Sequence, residues 1–203
     1  LESLGYQITG IVGSGEECIE AVRREKPDLV LMDIMLSGEI DGIFTAELIN
    51  REFDVPIIYL TAHSDENSLV RANLTEPYGY IVKPIDEKYL YSGIEIALHR
   101  FKLDRELKKS EIKYRTLFEQ SLDPIFICDD REIIIDANQA MIDLFGYPLD
   151  SLIGNRVEFL FEDREDYVSF MKEVRDKNSV NNFGTRLVCA NRRAIDVQMT
   201  LKC

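Results

Sequence analysis

Three short apolar runs, each stopping at a polar residue of a different kind, limit what this chain can fold into. Leu29-Val30-Leu31-Met32 stops at Asp33, Pro56-Ile57-Ile58-Tyr59-Leu60 at Thr61, and Tyr80-Ile81-Val82 at Lys83. Runs without polar alternation predict strands buried on both faces, as in a parallel sheet covered by helices. A further strand is expected over 7–14 (QITGIVGS). Helical patterns fill the gaps over 16–26, 42–53 and 64–74, with apolar positions such as Cys18, Ile19, Val22, Ile43, Phe44, Leu48 and Ile49. Strand–helix alternation at this spacing predicts an open, doubly wound α/β domain.

In such sheets chemistry gathers beyond the C-terminal strand ends. If the three strands are neighbours, a carboxylate, a hydroxyl and an ammonium converge there. That set suits phosphoryl transfer, with Asp33 as nucleophile and Thr61 and Lys83 holding the transferred oxygens. A divalent magnesium ion would offset the charge between the incoming group and Asp33. Taken singly, each residue has a plainer role: Asp33 could cap a helix, Thr61 could be structural and Lys83 solvated. It is the ordered triple that favours chemistry. Gly13-Ser14-Gly15 begins like a dinucleotide loop, but Cys18 stands where the third glycine belongs. His63 and His99 have no partner at metal-ligand spacing and read as surface residues.

The stretches LVLMDIMLSGEIDG, PIIYLTAHSD and YGYIVKPID, in that order, resemble the response-regulator receiver domain of two-component signalling over residues 1 to about 100. The resemblance implies a flavodoxin-like fold in which a sensor histidine kinase phosphorylates Asp33. Thr61 would bond a phosphoryl oxygen, Lys83 would pair with the phosphoryl group, and Tyr80 would turn inward on activation. Asp33 and the backbone carbonyl of Met35 would ligate Mg2+, and the Lys83-Pro84 peptide would be cis. Haloacid-dehalogenase-type phosphatases also use a strand-end aspartate, but as Asp-x-Asp, and here Met35 takes the second place.

One departure matters. The family's metal needs an acidic pair after its first strand, and that strand is missing from this sequence. Glu16 and Glu17 follow the second strand and do not replace the pair. In the family's strand order, 2-1-3-4-5, the missing strand lies between two present ones, so its neighbours lose ladder bonds. The opening LESLGYQI reads as a helix tail and a turn, so the sequence is expected to begin inside a domain. The first strand would then lie outside it or come from another chain. Magnesium binding by these 203 residues is expected to be poor.

From Asp86 to about Gln120 one long helix is predicted, burying Leu90, Ile94, Ala97 and Phe101. A second stripe, Ile96, Arg100, Leu103, Leu107, Ser110, Tyr114 and Leu117, advances by alternating fours and threes. That spacing fits a two-stranded coiled coil and hence a homodimer through the linker helix; the plainer alternative is a solvated connector. After Leu122 short strands, then helices, then a hairpin with an Ala190-Asn191-Arg192 turn signal an α+β domain. SLDPIFICDD, IIIDANQAMIDLFGY with Asn138, LDSLIG and the terminal hairpin resemble a PAS sensor domain whose last strand is not in view. It has no His for haem and no Cys in GNRVEFLF for flavin attachment, so neither cofactor is expected. The expected organisation is a receiver domain lacking its first strand over 1–98, a helical linker over 99–116 and a PAS domain over 117–203.

A net charge of −13 argues against nucleic-acid or acidic-membrane partners for the chain as a whole. Cys18, Cys128, Cys189 and Cys203 show no paired spacing, which predicts packing thiols in a reduced, cytoplasmic protein. No apolar run is long enough to span a membrane, and the Asn73-Leu74-Thr75 sequon carries no meaning in that compartment. No phosphotransfer histidine box, ATP-lid glycines or cyclase motif is present, so no output enzyme activity is expected of these residues. The function expected is a phosphorelay in which Asp33 is coupled through the helix to the PAS module. The alternatives are a degenerate receiver used only for dimerisation, or the regulatory front end of a larger sensor histidine kinase.

Overall fold

A computed structural model describes residues 1–62, 71–72 and 75–202. His63, most of the helix expected over 64–74, Asn73 of the sequon and Cys203 lie outside the described residues. The chain divides into two compact units, Leu1–Lys109 and Ser110–Cys203.

In the first unit α1 (Gly15–Glu25) starts at Ser14, whose hydroxyl accepts from Glu17 N at 3.3 Å, with Glu16 and Glu17 in its first turn. Acids there complement the positive end of the helix dipole. It stops at Lys26, which is left-handed (φ 47°) and precedes Pro27. β1 (Val30–Asp33), β2 (Ile57–Thr61) and β3 (Gly79–Val82) form a parallel sheet in the order β1-β2-β3. α2 (Gly42–Glu52) connects β1 to β2 and is capped by Asp41, which accepts from Phe44 N at 2.8 Å. Arg71 also bonds Asp41, at 2.9 Å. Burial raises the Asp41 carboxyl, but the Phe44 amide and the Arg71 guanidinium outweigh that and hold it below the ordinary carboxylate value. α3 (Glu87–Glu119) is one continuous helix.

Alternation along the strands divides the apolar residues between two cores. Val30, Met32, Ile57 and Tyr59 face α1 and α2, packing on Cys18, Val22, Ile43, Ala46 and Ile49. Ile58, Leu60, Leu31 and Ile81 face α3, meeting Leu90, Ile94, Ala97 and Leu98. The sheet therefore has helices on both sides, as a doubly wound fold requires.

The strand expected over 7–14 does not form. Among the described residues, 6–13 join no ladder, Ile11 is 86% exposed, and one isolated parallel bridge, Ser14 to Ser37, forms at the end of this stretch. Ser37 N donates to Gly13 O at 2.9 Å. The physical cause is the lack of a neighbour. Among the described residues no strand lies between this segment and β1, and an extended segment without a ladder partner gains neither bonds nor burial.

In the second unit β4 (Phe126–Cys128) pairs antiparallel with β5 (Ile134–Ala137), with a register shift at Ile127/Cys128. Helices α4 (Gln139–Phe145), α5 (Leu149–Leu152) and α6 (Arg164–Lys177) follow, with a 3-10 turn, Val157–Leu160, before α6. β6 (Ser179–Val188) and β7 (Ala194–Lys202) follow as an antiparallel hairpin around the expected Ala190-Asn191-Arg192 turn. Phe145, Leu152, Val157, Leu160, Phe161, Phe170 and Leu187 form its core.

The end of α3 belongs to this second unit. Asn138 is fully buried and uses every hydrogen-bonding position of its side-chain amide. Its Oδ1 accepts from Ile125 N (2.8 Å) and Met141 N (3.0 Å), and its Nδ2 donates to Phe118 O and Asp123 O, both at 3.0 Å. Arg115 pairs with Asp136 at 3.0 Å, and Gln139 N donates to Glu119 at 3.1 Å. Glu132 has a side chain 14% exposed and a left-handed backbone (φ 66°). It accepts from Tyr167, Arg156 (2.5 Å) and Arg175 (3.2 Å). Burial pushes its carboxyl up, but these three donors prevail and hold it below its usual range.

Candidate functional site

The register fixes where the three polar strand ends sit. Asp33 lies beside Leu60, and Thr61 beside Val82, so Asp33, Thr61 and Lys83 step across the C-terminal edge of adjacent strands. Lys83 N continues the ladder by donating to Thr61 O at 2.8 Å. The Lys83 ammonium reaches across β2 to form a direct ion pair with Asp33 Oδ2. The other carboxylate oxygen, Oδ1, accepts from Met35 N at 3.1 Å. Both side chains stay open to solvent, 33% for Asp33 and 42% for Lys83. A carboxylate that is paired and still accessible can meet an incoming reagent.

Thr61 is 3% exposed, and its hydroxyl donates to Ala62 O at 3.1 Å rather than to Asp33. Its position in the strand gives it the parity of Tyr59, whereas Asp33 and Lys83 share that of Leu31 and Ile81. The hydroxyl thus approaches the edge from the α1/α2 side. Met35 has an exposed side chain, and the Lys83-Pro84 peptide is cis. Tyr80 packs inward, its ring stacked on Tyr59 at 5.8 Å between centroids and 26° between planes.

Gly42 explains how α2 can start so close to Asp33. Its amide donates to Ile34 O at 2.9 Å, and a Cβ built there would lie 1.9 Å from the Asp33 carbonyl oxygen. No residue with a side chain fits that approach.

The implied magnesium is not matched by these residues alone. Asp33 is the carboxylate at the strand ends, and no group of three or more His, Cys, Asp or Glu able to hold a metal occurs among the described residues. Glu16 lies near Gly38: one of its carboxylate oxygens is 3.0 Å from where a Gly38 Cβ would be. His99 is exposed on α3.

Sequence reasoning treated Tyr59 only as part of an apolar run. The available signal was its opposition to Tyr80, readable once the two strands are taken as neighbours. In the second unit a cleft of about 1080 Å³ is lined by consecutive residues of β4 (Phe126 to Cys128) and β7 (Val197 to Lys202), with one face of α6 (Phe170, Met171, Val174) beside them. Consecutive lining residues mean that strand edges, as well as strand faces, bound this cleft. Among the described residues Cys18, Cys128 and Cys189 form no disulfide, and no helix is long and apolar enough to cross a membrane.

Residues 1–95 match the response regulator receiver domain, and residues 112–178 match the PAS domain. The transcriptional regulatory protein PdtaR of Mycobacterium tuberculosis is 38% identical over 120 residues, 59% of this chain and 57% of PdtaR. The DNA-binding response regulator MtrA of Mycolicibacterium paratuberculosis is 36% identical over 92 residues, 45% of this chain and 40% of MtrA. The chain thus spans about half the length of the curated relatives it matches. The signal receiver domain of a modulated diguanylate cyclase from Desulfovibrio desulfuricans G20 is 39% identical. That match covers 51% of this chain and 82% of that one, with a TM-score of 0.49.

Proposed function

We propose that this chain, a receiver domain at residues 1–95 followed by a PAS domain at 112–178, accepts a phosphoryl group on Asp33 and passes the change along α3. The observation that carries this reading is the solvent-open pair of Asp33 and Lys83 at the strand ends, with Thr61 on the strand between them. An Asp33 oxygen attacks the phosphorus of the donor, the bond from phosphorus to the leaving group breaks, and an aspartyl phosphate results. Lys83 gives up its contact with the carboxylate and meets a phosphoryl oxygen instead. The Thr61 hydroxyl leaves Ala62 O for another. The natural donor is a sensor histidine kinase, and the reaction takes place in the cytoplasm.

The test is incubation of the complete protein with a small acyl phosphate and magnesium, followed by intact mass. One phosphoryl increment is expected. Asp33→Ala abolishes it, and Lys83→Ala slows it on the order of 100-fold, as losing one charged stabiliser of an oxyanion does. An increment that persists in Asp33→Ala, or its absence from the complete wild-type protein, overturns the reading. A receiver that acts without phosphorylation is the second reading. It is favoured by the exposed four-three stripe of α3, which offers a dimer contact that needs no phosphoryl group. The same wild-type result decides between the two.

The partner proposed for α3 is a second copy of this chain. Ile96, Arg100, Leu103, Leu107, Ser110, Tyr114 and Leu117 are all exposed, and their four-three spacing matches the seam of a two-stranded coiled coil. Replacing Leu103 and Leu107 together by Glu is expected to convert a dimer to a monomer in sedimentation. A wild-type chain that sediments as a monomer at high concentration refutes the proposal.

A further inference from the structure

We infer that Tyr59 is the positioning residue that holds Tyr80 inward, and that Thr75 anchors Tyr59 for this task. Tyr59 is fully buried on β2 and lies directly opposite Tyr80 on β3, so the two side chains leave the sheet on the same face. Their rings stack at 5.8 Å, within the range where offset aromatic pairs attract. Thr61, two residues further along β2, shares that face, so one row carries the strand-end hydroxyl and the ring that positions Tyr80.

The phenol of Tyr59 is fixed at its far end. Its hydroxyl and the Thr75 hydroxyl are 2.9 Å apart. Thr75 is itself held twice: its hydroxyl donates to Ala72 O at 2.8 Å, and its carbonyl accepts from Asn50 of α2 at 2.9 Å. Since the Thr75 hydroxyl spends its proton on Ala72, Tyr59 donates and Thr75 accepts. A donor hydroxyl in a buried position keeps its proton, and burial pushes the Tyr59 phenol up to about 12. The bond fixes where the ring lies, close packing around the fully buried side chain holds its plane, and Tyr80 stacks against that plane.

This deepens the proposed function and rests on it, because it places a fixed ring on the face that carries the Thr61 hydroxyl; the stack itself is measurable without phosphorylation. The experiment places 3-fluorotyrosine at position 80 of the full chain and records its fluorine resonance. In the wild-type chain the signal is expected away from that of solvent-exposed fluorotyrosine, as a partly buried, stacked ring requires. Tyr59→Leu moves it to the position of solvent-exposed fluorotyrosine. Tyr59→Phe and Thr75→Val keep the packing, lose the anchor, and move it part of the way. A resonance unchanged in all three variants overturns the inference. If Tyr59→Leu fails to fold, the two anchor variants decide: an unchanged signal in both overturns it, and a shift in either supports it. Adding acyl phosphate and magnesium to the complete wild-type protein, with mass read in parallel, separates the premises. No phosphoryl increment defeats the phosphoacceptor reading and leaves the result for Tyr59 standing.

Discussion

Asn138→Ala is expected to destabilise residues 110–203 by about 3 to 4 kcal/mol, a fall of roughly 15 °C in the midpoint of their thermal transition. The size follows from what the amide satisfies. Truncation leaves the Ile125 amide without its acceptor and the Phe118 carbonyl without its side-chain donor, whereas the Met141 amide keeps Asn138 O at 3.1 Å and the Asp123 carbonyl keeps the Ser121 hydroxyl at 3.2 Å. Phe118 is buried, so its carbonyl pays most of the desolvation cost that water cannot repay. Helix α4 loses its cap in the same step, since Asn138 is its N-cap residue. The chain has two units, so denaturation should be followed by hydrogen exchange of separate peptides rather than by one global signal. Loss of protection is expected around 118–125 and 138–145, with residues 15–62 unaffected. Wild-type protection at Ile125 in the variant contradicts this account.

Gly42→Ala is expected to cost about 3 kcal/mol in the first unit, at the upper end of overpacking effects. The added methyl meets the Asp33 backbone oxygen at 1.9 Å and the Asp33 carbonyl carbon at 2.9 Å, and neither can move without displacing β1. An exposed helix would gain stability from the same change, because alanine is the better helix former. The sign therefore reports the close approach and not the helix. Urea unfolding of the first unit gives the size. The rate of phosphoryl gain should fall with it, because the carboxylate of Asp33 is carried on the displaced backbone. A variant as stable as wild type shows that α2 can tilt away at no cost.

The three strands of the first unit were legible because a strand covered on both faces must be apolar throughout, and Val30–Met32, Ile57–Leu60 and Tyr80–Val82 are. Helix starts were legible for a local reason: Ser14, Asp41, Asn138 and Asp163 each cap with their own side chains. The segment over 7–14 misled because its composition is that of a strand, while strand formation depends on a neighbour the segment lacks. At the site, Asp33, Thr61 and Lys83 could be picked out by position. The direct ion pair and the turn of the Thr61 hydroxyl toward Ala62 could not, because both depend on side-chain geometry. The Glu132 network was also hidden, since Arg156, Tyr167 and Arg175 come together with it only through the packing of α6.

The cleft between β4 and β7 bears on how copies of this molecule tolerate one another. Strand edges facing a cleft offer main-chain donors and acceptors on which foreign chains can grow a sheet. Pro124 just before β4 and Lys202 at the end of β7 blunt these edges only at their ends. What remains is distance, and a charge of −13 supplies it by keeping like molecules apart. That repulsion opposes edge-to-edge pairing between copies and weakens as salt shortens its reach.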